Sequence, residues 1–461
     1  MNVIISLAVI FVVGWAIIKK FKSQTILVIG GLALMICAYW LGYKTDFVPK
    51  NQMTGFVLFD MFEYINRLLV KDVAGLGLMI MVCTGFAKYM DFIGASSAMV
   101  QLSMKPLSKL NAPYVVMAAS FLVCMFMALF IPSASGLAML MMVTIYPVLV
   151  RLGVSKLSAA SVVATGHILD IGPASATTLL VTKTAEISIN KFFVENQLPV
   201  YVLVGIAGTL SHYFWQKYLD KREAAQAVEA DAVVNVNGAK SKDEELNPAG
   251  PGIYVILPLL PLIFLLGFSE YGYSKVKMNV NLAMFLSFAV AMIFEMVRHR
   301  DFKKVAASIQ KFFNGMGDQF ANTVTLVTAG QVFAYGLTSM GVIDATINMF
   351  KGLGVSVSII TIGICALIVL ISMVMGSGVA AMFSFAPLVP GFAQGLGGNA
   401  VTMLQAIQNS ASLGRLLSPI TAVIVAVSGI ANVSNVDLVK RNSVPVLVCI
   451  ITSMLAVLIL H

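Results

Sequence analysis

The chain has 461 residues, of which 59% are apolar and 11% charged. A soluble domain carries about 25% charged residues, and the mean hydropathy here is +0.91, so a string of soluble domains is excluded. Apolar runs recur from end to end at about 20 residues, the length that spans a bilayer core.

In chain order, ten spans are predicted near 2–18, 25–42, 73–90, 157–181, 199–216, 251–268, 279–297, 319–340, 401–428 and 445–460. The first run ends in Lys19, Lys20 and Lys22 with no small-residue cleavage site, so it reads as a span rather than a cleaved leader. Segments 56–71 and 303–315 are amphipathic and are expected to lie along the interface. Two apolar stretches, 112–150 and 355–396, carry a small polar tip in the middle. Each is either two spans or one re-entrant hairpin. Basic residues flank the first at Lys105, Lys109, Arg151 and Lys156, and charge alone does not separate the two readings. The polar stretch 217–250 reads as a cytoplasmic, partly disordered linker between halves.

With Lys19–Lys22 placed inside, most of the 30 Lys and Arg residues fall in inside segments, and both termini fall outside, in the periplasm. The net charge of +9 then reflects loops facing anionic lipid rather than nucleic acid. Cys37, Cys83, Cys124, Cys365 and Cys449 all lie in apolar runs, with no CxxC pair. They are expected to be buried small residues, neither a disulfide framework nor a zinc site.

The halves resemble each other. An offset of 246 pairs Asp72 with Asp318, Pro173 with Pro419, Ala176 with Ala422, Asn196 with Asn442 and Pro199 with Pro445. An offset of 242 pairs Ser135-Gly136 with Ser377-Gly378. Each half, 1–216 and 251–461, reads as three spans, a hairpin, a broken span and a final span. Five crossings is an odd number, so the second half enters inverted. The expected fold class is an all-α polytopic membrane protein built as an inverted repeat, with helices broken at the midplane. That is the pattern of secondary transporters. Unwound backbone is tolerated in a bilayer only where it is buried or lines a cavity.

Four elements form the candidate site. Two are the tips: Ser133, Ser135 and Gly136 in the first half, Ser377 and Gly378 in the second. Their glycines and hydroxyls open N–H groups to an anion; small-residue helix packing is the structural alternative. The third runs from Gly166 to Thr178. It is broken at Pro173 and followed by Ser175, Thr177 and Thr178. The fourth carries Arg415, Ser418, Pro419 and Thr421. Proline frees a carbonyl for a cation, and the half-helix after it presents its positive end.

Arg415 is the sharpest residue. An arginine in an apolar span costs at least about 2.5–3.5 kcal/mol and normally has a partner. It either binds a substrate carboxylate bidentately or is neutralised by an internal acid such as Asp170. His167 and Asp170 are three apart and are candidates for proton coupling, for a structural lock, or for pairing with Arg415. Asp318 and Asn322 are further coupling-ion candidates. Asp72 and Asp318 otherwise read as residues at helix N-termini. Sodium ligands are not identifiable, and His212, His299 and His461 receive no role.

The run Leu-Gly-Arg-Leu-Leu-Ser-Pro at 413–419, Ala-Val-Ser-Gly-Ile-Ala at 426–431 and Val-Lys-Arg-Asn-Ser-Val-Pro-Val-Leu-Val at 439–448 resembles the anaerobic four-carbon dicarboxylate carriers of the DcuC type, including the DcuD branch. So do Phe130–Gly136, His212–Lys221, Phe313–Gly341 and Met375–Gly378. The resemblance covers nearly the whole chain. It implies membership of the ion transporter superfamily, re-entrant hairpins, scaffold and transport domains, an elevator motion and a homodimer. The implied substrates are fumarate, succinate, malate and aspartate, moved by exchange, uptake or succinate efflux across a bacterial inner membrane. No cofactor is implied; sodium ions or protons are the candidate coupling ions.

The rival in the same class is an ion-coupled carrier of another small organic anion. A membrane enzyme needs a nucleophile or metal constellation such as HExxH, which the sequence lacks. A channel needs a pore-lining ring.

Overall fold

The computed structural model describes residues 2–19, 21–107, 110–229, 249–273, 275–352 and 354–460. Among them every regular element is a helix. The chain opens with α1 (Asn2–Ile18) and α2 (Ser23–Trp40). Next come α3 (Val57–Asp72) and α4 (Leu78–Phe92), joined by a π-helical turn over Val73–Gly77. After α5 (Ala95–Met104) come α6 (Pro113–Ala128), α7 (Ala134–Thr144) and α8 (Tyr146–Arg151), which form the first hairpin. Then come α9 (Lys156–Thr165) and α10 (Ala176–Thr184), separated by irregular backbone. The short α11 (Ile189–Lys191) runs through a second π turn into α12 (Leu198–Glu229).

A 3-10 stretch at Gly252–Leu259 leads to α13 (Leu260–Gly267) and α14 (Val280–His299). Helices α15 (Phe302–Gln319) and α16 (Thr325–Ser339) are joined by a third π turn, Phe320–Val324. They precede α17 (Val342–Gly352). The second hairpin is α18 (Val357–Met375), α19 (Gly378–Phe385) and α20 (Val389–Leu396). It is followed by α21 (Ala400–Gly414), α22 (Ala422–Ala431) and α23 (Asn435–Leu460).

Local chemistry fixes many of these ends. Asn279, Asp301 and Ser356 cap α14, α15 and α18 by accepting from Leu282, Lys304 and Ile359 N–H groups. Pro113 opens α6 at its first turn, where its missing N–H costs nothing. Helix α2 packs on α16, α4 on α14 and α15, α12 on α6 and α23, and α21 on α18 and α19.

Nine helical segments among the described residues are long and apolar enough to cross a membrane. The apolar helices at Ile4–Ile17, Pro113–Ala128 and Gly252–Gly267 are shorter. The chain is therefore an all-helical, multi-span membrane protein. Several expected boundaries move. The stretch 157–181 is two helices with non-helical backbone between, at the break expected over Gly166–Thr178. The span expected at 319–340 is continuous with the amphipathic segment before it, because the π turn at Phe320–Val324 widens the helix without ending it, whereas the span expected at 73–90 follows its amphipathic segment across a kink at Gly75. Asp318 consequently sits inside a long helix and Asp72 at the end of α3, and neither caps a helix. The linker also begins later than expected. Helix α12 continues through 217–229, and 230–248 lie outside the described residues.

Four of the cysteines are buried and Cys37 is half-buried; all five are free thiols. His212 lies within α12, fully buried, 2.9 Å from the Thr165 hydroxyl. It belongs to a polar cluster that ties α6, α9, α12 and α23. Asp220 accepts from Ser155 and Ser158 hydroxyls, both at 2.7 Å, and from Tyr114 at 3.0 Å. Arg441 pairs with Asp220 at 3.5 Å and Glu223 at 2.5 Å.

Removing one member of a buried pair strands the other charge, at about 3–5 kcal/mol. Arg441→Ala should therefore lower the thermal midpoint in detergent markedly. Adding Asp220→Asn should recover part of that loss; equal midpoints for Arg441→Ala and the native chain would contradict this.

Candidate functional site

The two hairpin tips and the second helix break meet around one cavity of about 210 Å³. It is lined by Ala134 and Ser135 from the first tip and Gly376–Val379 from the second. Arg415, Thr421, Ala422 and Val423 complete it.

The break is dictated locally. Pro419 cannot donate to a helix ladder and disfavours helical geometry in the residue before it. Ser418 is accordingly extended, with φ −99° and ψ 124°. A single 3-10 turn, Arg415–Leu417, follows α21, and the chain restarts as α22 after Thr421. The Thr421 hydroxyl donates to the Arg415 carbonyl at 2.5 Å and closes the gap.

Three helix N-termini thus open on the cavity: α7 after Ser133, α19 after Ser377 and α22 after Thr421. Each carries about half a positive charge and unsatisfied N–H groups. Ser133 and Ser377 accept from the N–H groups of Gly136 and Ala380. A hydroxyl that caps in this way still has its own proton to donate.

The second tip docks closely. A Cβ at Gly378 would lie 2.4 Å from the Ala411 carbonyl oxygen, and one at Gly376 would lie 2.9 Å from Ile420. Gly376 also has φ +66°, which a side chain would strain.

Arg415 meets an internal acid at the edge of the cavity. Its Nη2 donates to Asp170 Oδ1 and to the His167 carbonyl, each at 3.2 Å, and lies 3.2 Å from His167 Nδ1. It therefore has an internal acid and also lines the cavity. Arg415, Asp170 and His167 are all buried. Asp170 Oδ2, His167 Nε2 and Arg415 Nε have no hydrogen-bond partner.

Behind this triad lies a network of uncharged groups. Gln408 Nε2 donates to the Asp170 carbonyl at 2.6 Å and to Thr177 and Thr178 hydroxyls at 3.0 and 3.2 Å. Gln197 donates to Thr178 and Gln408, and accepts from Gly172 N–H. Ser412 accepts from Asp170 N–H.

Of the predicted substrate residues, Ser135, Ser377, Gly378, Arg415 and Thr421 line the cavity. Ser133 and Gly136 hold the first tip without lining it. Ser175, Thr177 and Thr178 do not line the cavity: they belong to the network behind Arg415, because the first break folds back onto α21. Ser418 is fully buried and turned to the Ile420 N–H. Asp318 and Asn322, the further coupling-ion candidates, stand apart from the cavity. They lie on an exposed helix face where Asp318 pairs with Lys88 and Asn322 bonds the Asp318 carbonyl, and neither lines the cavity.

The first break, at Pro173, faces instead an apolar crevice of about 30 Å³, with Pro132, Phe130 and Phe86 in its wall. That holds little more than water, since one water needs about 10–15 Å³. Gln197 and Gln408 were missed by sequence reading, although their signal was present: amides within apolar runs are expensive and normally paired. Among the described residues no group of His, Cys, Asp or Glu is placed to hold a metal ion.

Broken helices and apposed hairpin tips around a cavity lined by Arg415 are features of a membrane carrier. Residues 1–461 match the family DcuC, the C4-dicarboxylate anaerobic carriers, and the chain belongs to it. The Escherichia coli K12 anaerobic C4-dicarboxylate transporter DcuC is 34% identical over 453 residues, 98% of this chain and 95% of that protein. The probable DcuC transporter of Vibrio cholerae is 31% identical over 463 residues, 100% of this chain and 98% of that one. The fold is also that of two solved transporters. YdaH of Alcanivorax borkumensis has a TM-score of 0.64 at 15% identity, covering 94% of this chain and 97% of that one. MtrF of Neisseria gonorrhoeae has a TM-score of 0.62 at 14% identity, covering 95% of each.

Gly378→Ala should push the second tip off α21, with overpacking strain of about 1–3 kcal/mol. The expected outcome is a sharp loss of uptake with normal expression. Native uptake in this variant would place the tip away from the Ala411 carbonyl.

Proposed function

We propose that the chain is a secondary active carrier of four-carbon dicarboxylates such as succinate, fumarate, malate and aspartate. The observation that carries this reading is the convergence of one guanidinium and three helix N-termini on a single small cavity. At about 210 Å³ it is smaller than the roughly 300–1,000 Å³ of drug-sized sites. One substrate carboxylate meets Arg415. The other meets the Ser135 and Ser377 hydroxyls and the N–H groups at the starts of α19 and α22.

Asp170 neutralises Arg415 in the empty site, so the three helix ends, at about +0.5 charge each, face the incoming dianion. His167 and Asp170 act first as a brace that aims the guanidinium. The names of the relatives support the substrate class.

The reading includes exchange, uptake or succinate efflux in a bacterial inner membrane, with both termini periplasmic. It also includes inverted repeats, re-entrant hairpins, a homodimeric scaffold and an elevator motion. Re-entrance is supported by depth: Gly376 and Gly378 lie against Ile420 and Ala411, near the middle of the segment 400–431. No cofactor is required, and the coupling ion is sodium or a proton. The Asp170 carbonyl beside the first break is already taken by Gln408 and Thr177, and the His167–Asp170 pair by Arg415.

A second reading, a carrier of another small organic anion, is favoured by one observation. The single guanidinium lining the cavity is shared with Asp170.

Counterflow in proteoliposomes loaded with succinate, with labelled fumarate outside, separates the two. Accumulation supports the dicarboxylate reading; none across the four substrates favours the second. Arg415→Ala should abolish counterflow. The double variant Arg415→Ala/Asp170→Asn leaves no stranded buried charge. It should be equally inactive while unfolding near the native temperature; counterflow by either variant would remove Arg415 from the site.

A further inference from the structure

We infer that Asp72 is the binding site of a coupling proton, separate from the substrate cavity; this rests on the carrier reading above. Asp72 is a buried carboxylate at the end of α3. The π turn Val73–Gly77 begins at the next residue. Thr328 Oγ1 donates to its Oδ2 at 2.8 Å, and Gln331 Nε2 donates to both oxygens at 3.1 and 3.2 Å. Both donors come from α16. Among the described residues no Lys or Arg forms an ion pair with it.

A carboxylate within a membrane-crossing helix is a functional-site hypothesis by default, because its charge is expensive there. Its counterpart at offset 246, Asp318, sits on exposed surface and pairs with Lys88. One aspartate is thus ion-paired to a cation, while the other is hydrogen-bonded by uncharged donors, with Lys71 nearby but in no ion pair with it.

The surrounding groups favour a proton over a metal ion. Thr328 and Gln331 present hydrogens, not lone pairs, to the carboxylate. Lys71 adjoins Asp72 on its own helix and is exposed. Tyr64 and Tyr335 are stacked at 4.0 Å, and Tyr64 is close enough to feel the Asp72 charge. From the other elements packed against this segment, α10 brings the exposed Lys183. Helix α4 brings Lys88, held by Asp318, together with Cys83, Tyr89 and Asp91, and α2 brings Cys37 and Tyr39. The turn Phe320–Val324 brings no titratable group.

Proton binding converts the carboxylate to a carboxylic acid and removes one acceptor. The Thr328 hydroxyl then falls back on the Val324 carbonyl, already at 3.3 Å. The new O–H is satisfied by the Gln331 amide oxygen after rotation of that side chain.

This rearrangement is wired to the cavity. Between Thr328 and Gln331 lies Gly330, where a Cβ would stand 2.5 Å from the Phe383 carbonyl oxygen. Phe383 belongs to α19, whose first residue, Gly378, lines the cavity. A shift of α16 therefore bears directly on the second tip. The π turn beside Asp72, with Gly75 at φ −104° and ψ −106°, is the soft point that admits it.

The test uses the purified full chain in proteoliposomes, with two assays. Counterflow at equal pH reads the carrier itself. Uptake driven by a pH gradient reads the coupling, since one pH unit supports about tenfold accumulation per proton carried. Asp72→Asn should keep counterflow within about twofold of native, lose gradient-driven accumulation, and flatten the pH profile of uptake. Asp318→Asn should keep all three. Should Asp72→Asn fail to fold, Gln331→Ala keeps the carboxylate and should shift the midpoint of the pH profile. Native gradient-driven accumulation in Asp72→Asn, its loss in Asp318→Asn, an unmoved profile in Gln331→Ala, or an uncoupled native protein would each overturn the inference. Absence of counterflow in the native chain would instead overturn the carrier reading.

Discussion

The contact on which the rest of the site depends is the one between Arg415 and the first helix break. Arg415 follows α21 in the second half, while His167 and Asp170 belong to the unwound stretch between α9 and α10 in the first. A guanidinium in the middle of an apolar bundle is tolerable only with its charge and its N–H groups answered. A carboxylate and a backbone carbonyl answer them from 245 residues or more away in sequence. The pair holds two unwound stretches together that would each be unstable alone in lipid.

That constraint explains the asymmetry of the two breaks. The first turns inward. Its carbonyl at Asp170 and its hydroxyls at Thr177 and Thr178 are consumed by Gln408 and Gln197. It serves as the brace. The second keeps its restart at Thr421–Ala422 free and, with the two tips, encloses the cavity. Positive helix ends then face empty space rather than protein, an arrangement that favours an anionic guest. Membership of a family of C4-dicarboxylate carriers agrees with such a guest.

Much of this was legible in the sequence. Pro419 and Arg415 marked the second break, and Ser135, Ser377 and Gly378 marked the tips, because Gly, Pro and Ser interrupting an apolar run have few other uses. The π turn at Phe320–Val324 was not legible, so Asp318 read as a span start when it lies inside a long helix; Asp72 read as a span start when it ends α3, just before the kink at Gly75. Asp170 and His167 were named as candidate partners of Arg415, but their direction was not fixed. Periodicity places residues on a helix face, and residues 166–175 are not helical. Gln197 and Gln408 escaped because a lone amide has no motif; only its burial with partners shows its role.

The most direct test is substrate protection of the cavity wall. Ser377→Cys, in a chain with Cys37→Ala to remove the only half-buried native thiol, places a reactive group at the second tip. Labelling by a small polar maleimide is then followed with and without succinate. The account predicts that saturating succinate slows labelling substantially and that Arg415→Ala abolishes the protection. Equal labelling rates with and without substrate in an exchange-competent protein would contradict it, because substrate would then be bound elsewhere.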